Sequence, residues 1–328
     1  MSQPAQLDVV CIGNAIVDLI DDADDAFLAR HGMAKGSMAL IDEARAEALY
    51  ADMGTAMAMS GGSAGNTAAG LASLGAACGY IGKVKDDQLG GIYRHDMVSG
   101  GIQFPTPAAQ DGPATARSLI LVTADAQRTM NTYLGACVNL GPEDLDEAMI
   151  ASAQVTYLEG YLFDPPQAKA AFRRAAAVAH AAGRKVSLSL SDSFCVGRHR
   201  EDFLDLIEND VEILFANDAE ITSLFETDDF DLAVAKAAAL VEVVAVTRGA
   251  EGSVLVRGAE RVAVPAAPIE KLVDTTGAGD LYASGVLYGL TRGLPLAECG
   301  RLGSLAAAEI ISHYGPRPQV SLKELAGL

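Results

Sequence analysis

Short apolar runs recur along this chain, and most are separated by longer stretches whose apolar residues return at helical spacing. The first, LDVVCIG (7–13), is an uninterrupted apolar run ending on glycine, as a buried strand does when its glycine end faces a ligand. SAGNTAAGLASLG (63–75) then predicts a small-residue helix and CGYIGKV (78–84) the next strand. The rhythm repeats downstream: PEDLDEAMIASA precedes VTYLEG, QAKAAFRRAAAVAHAAG precedes KVSLSLS, REDFLDLIEND precedes VEILFAN, and DLAVAKAAALV precedes VVAVTRG. Alternation of this kind predicts βαβ units, and therefore an α/β chain with a mostly parallel central sheet covered by helices on both faces.

Two stretches interrupt the rhythm. Residues 14–41 and 102–135 carry β-prone, alternating segments joined by turn residues, without long helices. They predict a small second sheet assembled from two insertions. A sheet placed over the carboxyl ends of the parallel strands would act as a lid, because open α/β sheets bind ligands there. The acidic run DDADD (21–25) reads as a solvated loop feeding a helix start. No repeat or low-complexity linker divides the chain, which reads as one domain over 1–328 with the lid as a subdomain.

Composition narrows the class further. Ala and Gly are abundant, Trp is absent and aromatics make up 5% of the 328 residues, which suits close helix-on-sheet packing better than a β-sandwich. The formal charge of −19 argues against a nucleic-acid partner, whose backbone demands clustered Lys and Arg. An anionic small ligand remains compatible if a local site supplies backbone N–H groups. The five cysteines are scattered with no CxxC pair, predicting neither disulfides nor a zinc site. With no basic leader in MSQPAQLDVVCIG and no apolar run long enough to span a bilayer, a cytoplasmic location and no membrane association are expected.

The candidate chemistry centres on DTTGAGD (274–280), which runs directly into the apolar LYASGVLYGLTRG. A Gly-Ala-Gly turn at a helix start leaves unpaired N–H groups and the positive dipole end converging on one point, forming an anion hole from Gly277, Ala278 and Gly279. Asp280, in the first turn, could take a proton from a hydroxyl attacking a phosphoryl group while those N–H groups hold developing charge. Alone, the same residues would sooner cap a helix and close a tight turn than do chemistry. Their setting beside NDAE (217–220) and TRGAEGSVLV (247–256), two more polar, glycine-bearing strand ends, favours chemistry. A dinucleotide oxidoreductase is not supported, since CIGNAIVD lacks GxGxxG. The five histidines show no ligand spacing.

DTTGAGD resembles the C-terminal signature of the PfkB or ribokinase-like carbohydrate kinases, a family that includes adenosine kinases, and SGGSAGNTAAGLASLG (60–75) resembles its N-terminal signature. GNAIVD (13–18), IGKVKDDQLG (81–90), NDAE and TRGAEGS (247–253) follow in the family's order, so the resemblance spans roughly residues 8 to 315. It implies a ribokinase-like three-layer αβα domain with a β-sheet lid, transferring the γ-phosphoryl of ATP to a hydroxyl. By position it implies that Asp280 is the base, with Gly277, Ala278 and Gly279 as the anion hole. Asp18, Gly62 and Asn66 would bind acceptor hydroxyls, with Asn14, Gly61 and Ser63 alongside. Asn217 and Glu220 would organise Mg2+ and phosphates, partly through water, and Thr247, Arg248, Gly249 and Gly252 would contact ATP. A monovalent cation is compatible with the family, as are a monomer and a homodimer.

Arg128, in the lid stretch, either reaches the transferring phosphoryl group on closure or is a plain surface arginine. GNAIVDLI, AFLARHGMAKGSMALID and the serine after the paired glycines resemble the adenosine kinase branch most. Met38, Leu40, Met130 and Tyr133 could cover a purine, or form the lid's own small core. Leu281 and Tyr282 depart from the small residue and Phe that many members carry, which leaves the catalytic assignment intact but loosens the subfamily. Adenosine is therefore the favoured acceptor and a sugar such as ribose or fructose the alternative; a catalytically silent nucleoside or sugar sensor is the reading from another class.

Overall fold

The computed structural model describes residues 5–125 and 127–328. Residues 1–4, part of the stretch read for a leader, and Ala126, inside the predicted lid, lie outside them. In chain order the strands are β1 (Leu7–Ile12), β2 (Ile16–Asp22), β3 (Met38–Leu40), β4 (Met57–Ser60), β5 (Cys78–Ile81), β6 (Ala116–Val122), β7 (Arg128–Tyr133), β8 (Ala153–Glu159), β9 (Lys185–Ser189), β10 (Ile213–Asn217), β11 (Val243–Thr247), β12 (Ser253–Arg257) and β13 (Glu260–Val264).

Eight of them form one sheet in the order β13-β12-β11-β10-β9-β8-β1-β5. From β5 to β11 every pairing is parallel, and the β11-β12-β13 edge is antiparallel. The expected α/β architecture is present, and the antiparallel edge is the addition. A five-residue strand such as β12 can return directly through a tight turn, so no crossover helix marks it in the sequence.

Burial on both faces follows from strand periodicity. In β1, Val9 and Cys11 join one core while Val10 and Ile12 join the other. The first core packs the helices Ser63–Ser73, Ala278–Thr291 and Leu296–Ile310, and the second packs Pro166–Ala181, Ser193–Asp210, Asp218–Phe225 and Phe230–Leu240. The abundance of small residues has a use here: a Cβ on Gly285 would lie 2.4 Å from the backbone of Leu302 and Gly303, so the last two long helices touch main chain to main chain.

The second sheet has the order β3-β7-β6-β2-β4. Its strands come from 16–60 and 116–133, so the first insertion extends beyond residue 41 to include β4, while residues 102–115 instead bridge to the large sheet's edge at Gly79 and Lys85. Register sorts its side chains. Ile16, Asp18, Ser118, Ile120, Met130 and Thr132 face a cavity between the sheets, whereas Val17, Leu19, Leu119 and Leu121 pack on the helices Asp25–Arg30 and Glu43–Asp52 through Leu28, Ala46 and Leu49. Tyr133, read either as a purine cover or as part of the small sheet's own core, has the odd parity: it is buried in that helix-backed core, with Arg117 over its ring. Among the described residues no helix is long and apolar enough to cross a membrane.

Candidate active site

A cavity of about 420 Å³ lies over the carboxyl ends of β9, β10 and β11 and beneath the small sheet. It is lined by Asp18, Gly62, Ser63, Asn66, Asn217, Glu220, Thr247 and the turn Gly277–Asp280, residues that are as much as 262 positions apart in sequence.

Asp280 is the most elaborated group. It sits in the first turn of the helix Ala278–Thr291, whose N-cap is Gly277 at φ +80°, a left-handed conformation that side chains disfavour. No side chain caps this helix start; Ala278 N donates to Thr275 O at 3.2 Å, while the N–H groups of Gly277 and Gly279 have no partner among the hydrogen bonds of the described residues and can meet a ligand's oxygen. The Asp280 carboxylate accepts from Ser63 Oγ at 2.6 Å and from Asn66 Nδ2 at 2.8 Å. Both donors stand one turn apart at the start of the helix Ser63–Ser73, which puts them on one face. Burial pushes the Asp280 carboxyl above its usual range, and the bonds from Ser63 and Asn66 and the positive charge of Arg317 pull it back. A carboxylate whose pKa is raised by burial and which is held in place by two donors is suited to taking a proton.

Asp18 faces it from the lid. The Asp18 side chain is buried, and burial raises its pKa to about 7 against the attraction of Arg317 and Arg128. Its neighbourhood is shaped by two glycines. A Cβ on Gly61 would fall 2.4 Å from the Asp18 carboxylate, and Gly62, at φ +79°, would meet Asn14 O at 2.2 Å. Only glycine fits this hinge between β4 and the following helix.

Asn217 ends β10 and caps the helix Asp218–Phe225 in a reciprocal box: Glu220 N donates to Asn217 Oδ1 at 2.8 Å, and the Glu220 carboxylate accepts from Asn217 N at 3.0 Å and Nδ2 at 2.6 Å. Burial lifts Glu220 to about 7, with the Asn217 backbone bond opposing. Among the described residues no group of three or more His, Cys, Asp or Glu side chains forms a metal cage. The Asn217–Glu220 pair satisfies itself, so it suits water-mediated contact with a metal better than direct ligation.

Several predicted residues stand off the cavity wall. Asn14 donates both its N–H at 3.3 Å and its Nδ2 at 2.6 Å to Glu159. Arg128 forms a buried ion pair with Asp274 at 2.6 Å and donates to Thr276 Oγ1 at 2.8 Å, so it grips the glycine turn itself, and its Nε and Nη2 are buried without partners. It is not a plain surface arginine. Arg248 lies over the Phe230 ring and pairs with Glu251. Gly252 is packed against the backbone of Val264 and Ala266, which explains its glycine by the β12-β13 hairpin. Gly249 is open on its outer side.

Three contributors escaped sequence reasoning. Glu159, at the carboxyl end of β8, holds Asn14 and also accepts from Ala64 N at 2.7 Å, tethering the helix that carries Ser63 and Asn66; burial raises it to about 7. A lone acidic residue closing the apolar run VTYLEG was its signal. Ser191 lines the cavity at φ +71°, and Tyr161 N donates to its Oγ at 3.2 Å. Arg317, on the other side of the hinge, had no motif around it.

A small sheet over the carboxyl ends of a parallel sheet, a glycine-built helix start and an adjacent buried carboxylate together meet what transfer of a phosphoryl group to a small hydroxyl-bearing molecule requires. Residues 6–322 match the pfkB family carbohydrate kinase pattern, and the chain belongs to that family. It is similar over 98% of its length to the solved adenosine kinase from Sinorhizobium meliloti, of which 99% is covered, at 56% identity and a TM-score of 0.92. The solved probable sugar kinase from Rhizobium etli CFN 42 gives 52% identity, 98% coverage of both chains and a TM-score of 0.92. Adenosine kinase from Saccharomyces cerevisiae is 26% identical, covering 94% of this chain and 96% of that one. The chain is thus a sugar or nucleoside kinase of the ribokinase-like fold, as its two signatures implied, and its family implies use of ATP.

Proposed function

We propose that this kinase moves the γ-phosphoryl group of ATP to the 5′-hydroxyl of adenosine. The observation that carries the reading is the pairing, in one cavity, of the Ser63- and Asn66-held carboxylate of Asp280 with an uncapped glycine-built helix start. Asp280 accepts the proton of the attacking hydroxyl, and the N–H groups of the Gly277–Gly279 turn take up charge on the transferring group. Arg128, anchored by Asp274, adds a cation beside that turn. Asn217 and Glu220 organise the phosphates and, through water, magnesium, which on binding would neutralise phosphate charge. Thr247, on the wall, and Arg248, Gly249 and Gly252, which follow it in the chain, are the nucleotide side of this reading.

Two features favour a nucleoside as acceptor. Across the small sheet the register aligns Met59, Asp18, Ser118, Thr132 and Leu40 in one row, and Met57, Ile20, Ile120, Met130 and Met38 in the next. The first row is polar at its centre, for ribose hydroxyls; the second, about 7 Å along the strands, is wholly apolar, for a base. The wall also carries Asp18, Asp280 and Glu220 and, among the described residues, no Lys, Arg or His, which disfavours phosphorylated or carboxylated sugars. The similarity to a solved adenosine kinase at 56% identity supports the same acceptor.

ADP release from ATP and magnesium with a panel of nucleosides and sugars tests the proposal. The expected result is the highest kcat/KM with adenosine. Faster turnover of ribose or fructose would replace it with a sugar kinase, and acceptor binding without ADP from any of them would leave a sensor.

A further inference from the structure

Arg317 follows the last long helix in the segment GPRPQ and has no carboxylate partner among the ion pairs of the described residues. Its guanidinium instead donates to main-chain carbonyls: Nε to Ser60 O at 2.8 Å, Nη1 to Gly65 O, and Nη2 to Gly61 O at 3.3 Å. The carbonyls of Ser60 and Gly65 lie on either side of the two glycines through which β4 passes into the helix bearing Ser63 and Asn66, and the third belongs to Gly61 itself. Tyr93 adds a second, longer bond to Gly61 O at 3.4 Å. The neighbours of Arg317 reach the other parts of the site. A Cβ on Gly315 would touch Met59 Sδ of β4 at 3.1 Å, and one on Gly277 would touch Pro316 Cα at 3.5 Å. The segment 315–317 therefore rests on the lid strand, the glycine hinge and the anion-hole turn at once.

We propose that Arg317 is a positioning residue which, by gripping the carbonyls on both sides of the Gly61-Gly62 hinge, sets the lid strand and the Ser63–Asn66 helix in the arrangement that binds the acceptor. A guanidinium is needed for this, because three carbonyls in and on either side of a hinge require a rigid fork of donors, which a lysine ammonium does not present. The unpaired positive charge also lies where it favours the ionised forms of Asp18 and Asp280 against burial. The inference rests on the kinase reading of the cavity, so its test includes a measurement that does not depend on turnover.

Arg317→Met and Arg317→Lys are compared with the unaltered protein by steady-state kinetics, using whichever acceptor the panel identifies, and by hydrogen exchange of the free protein. The expected result for Arg317→Met is an acceptor KM raised about tenfold or more with the KM for ATP within roughly twofold, reflecting lost charge-assisted bonds on the acceptor side only. Exchange should accelerate over residues 58–66 and stay unchanged in the β9–β11 core. Arg317→Lys should fall between the two, and Tyr93→Phe should shift the acceptor KM in the same direction by less. An unchanged acceptor KM and unchanged exchange at 58–66 in a folded Arg317→Met protein would overturn the inference, as would equal changes in both KM values with protection lost throughout. If Arg317→Met does not fold, the Arg317→Lys protein decides by the same two readouts. Altered exchange at 58–66 without kinase activity in the unaltered protein would sink the kinase reading and leave the hinge role standing.

Discussion

Replacing Asp280 by asparagine separates the chemistry of this site from its architecture. The carboxylate accepts from Ser63 at 2.6 Å and Asn66 at 2.8 Å. An asparagine keeps the shape and can still accept from Ser63, but its amide would oppose the Asn66 amide. Asn66 Oδ1 is buried without a partner, so the Asn66 carboxamide can turn over and accept from the new amide. The exchange converts charge-assisted bonds into neutral ones at a cost of about 1 kcal/mol, while removing a charge whose burial is already unfavourable. For a chain of this size the melting temperature should shift by less than about 3 °C. Loss of the base, in contrast, should lower turnover by roughly 10² to 10⁴, or about 3 to 5 kcal/mol of transition-state stabilisation. Coupled measurement of ADP release gives kcat, calorimetry gives ATP affinity, which should be spared, and a thermal melt reports the fold. Turnover within tenfold of the unaltered enzyme, in a protein with normal melting, would remove Asp280 from the role of base.

Asp18 should give the acceptor its own pH dependence. With its pKa raised to about 7 it is mostly protonated in mild acid, so the acceptor KM should fall as pH rises through about 7 and the ionised form, the better acceptor of hydroxyl hydrogens, takes over. Asp18→Asn should have a high KM that is flat over the same range; an unaltered pH profile would contradict this. Stability runs the other way: a carboxyl whose folded pKa lies above its unfolded one stabilises fully below the unfolded value and loses that contribution as pH rises through about 7. The melting curve of Asp18→Asn should therefore decline less between mild acid and pH 8. Two glycines should respond oppositely to alanine. Gly279 has nothing within 4 Å of a new Cβ, so Gly279→Ala should melt normally yet impair ATP turnover by crowding the anion hole, whereas Gly62→Ala, at φ +79° and 2.2 Å from Asn14 O, should lose more than about 2 kcal/mol of stability. Equal melting of the two variants would refute the distinction.

What the sequence determined by itself is what depends on neighbours along the chain. Apolar runs of five to seven residues alternating with helical periods are local facts, and they gave the parallel sheet, its two covered faces and the helix after DTTGAGD. The glycine turn was legible because positive φ and close approach are demands that one residue type meets. The tertiary structure decided the rest, through partners far apart in sequence. Tyr133 and Met130 look alike as apolar lid residues, and only the pairing of β6 with β7 sends one to the helices and the other to the cavity. Asn14 looks like a cavity residue until Glu159, 145 positions away, occupies its amide. Arg128 became a clamp on the glycine turn only through Asp274. Arg317 grips carbonyls about 250 residues earlier, and a carbonyl is present at every position, so no pattern of side chains could have announced it.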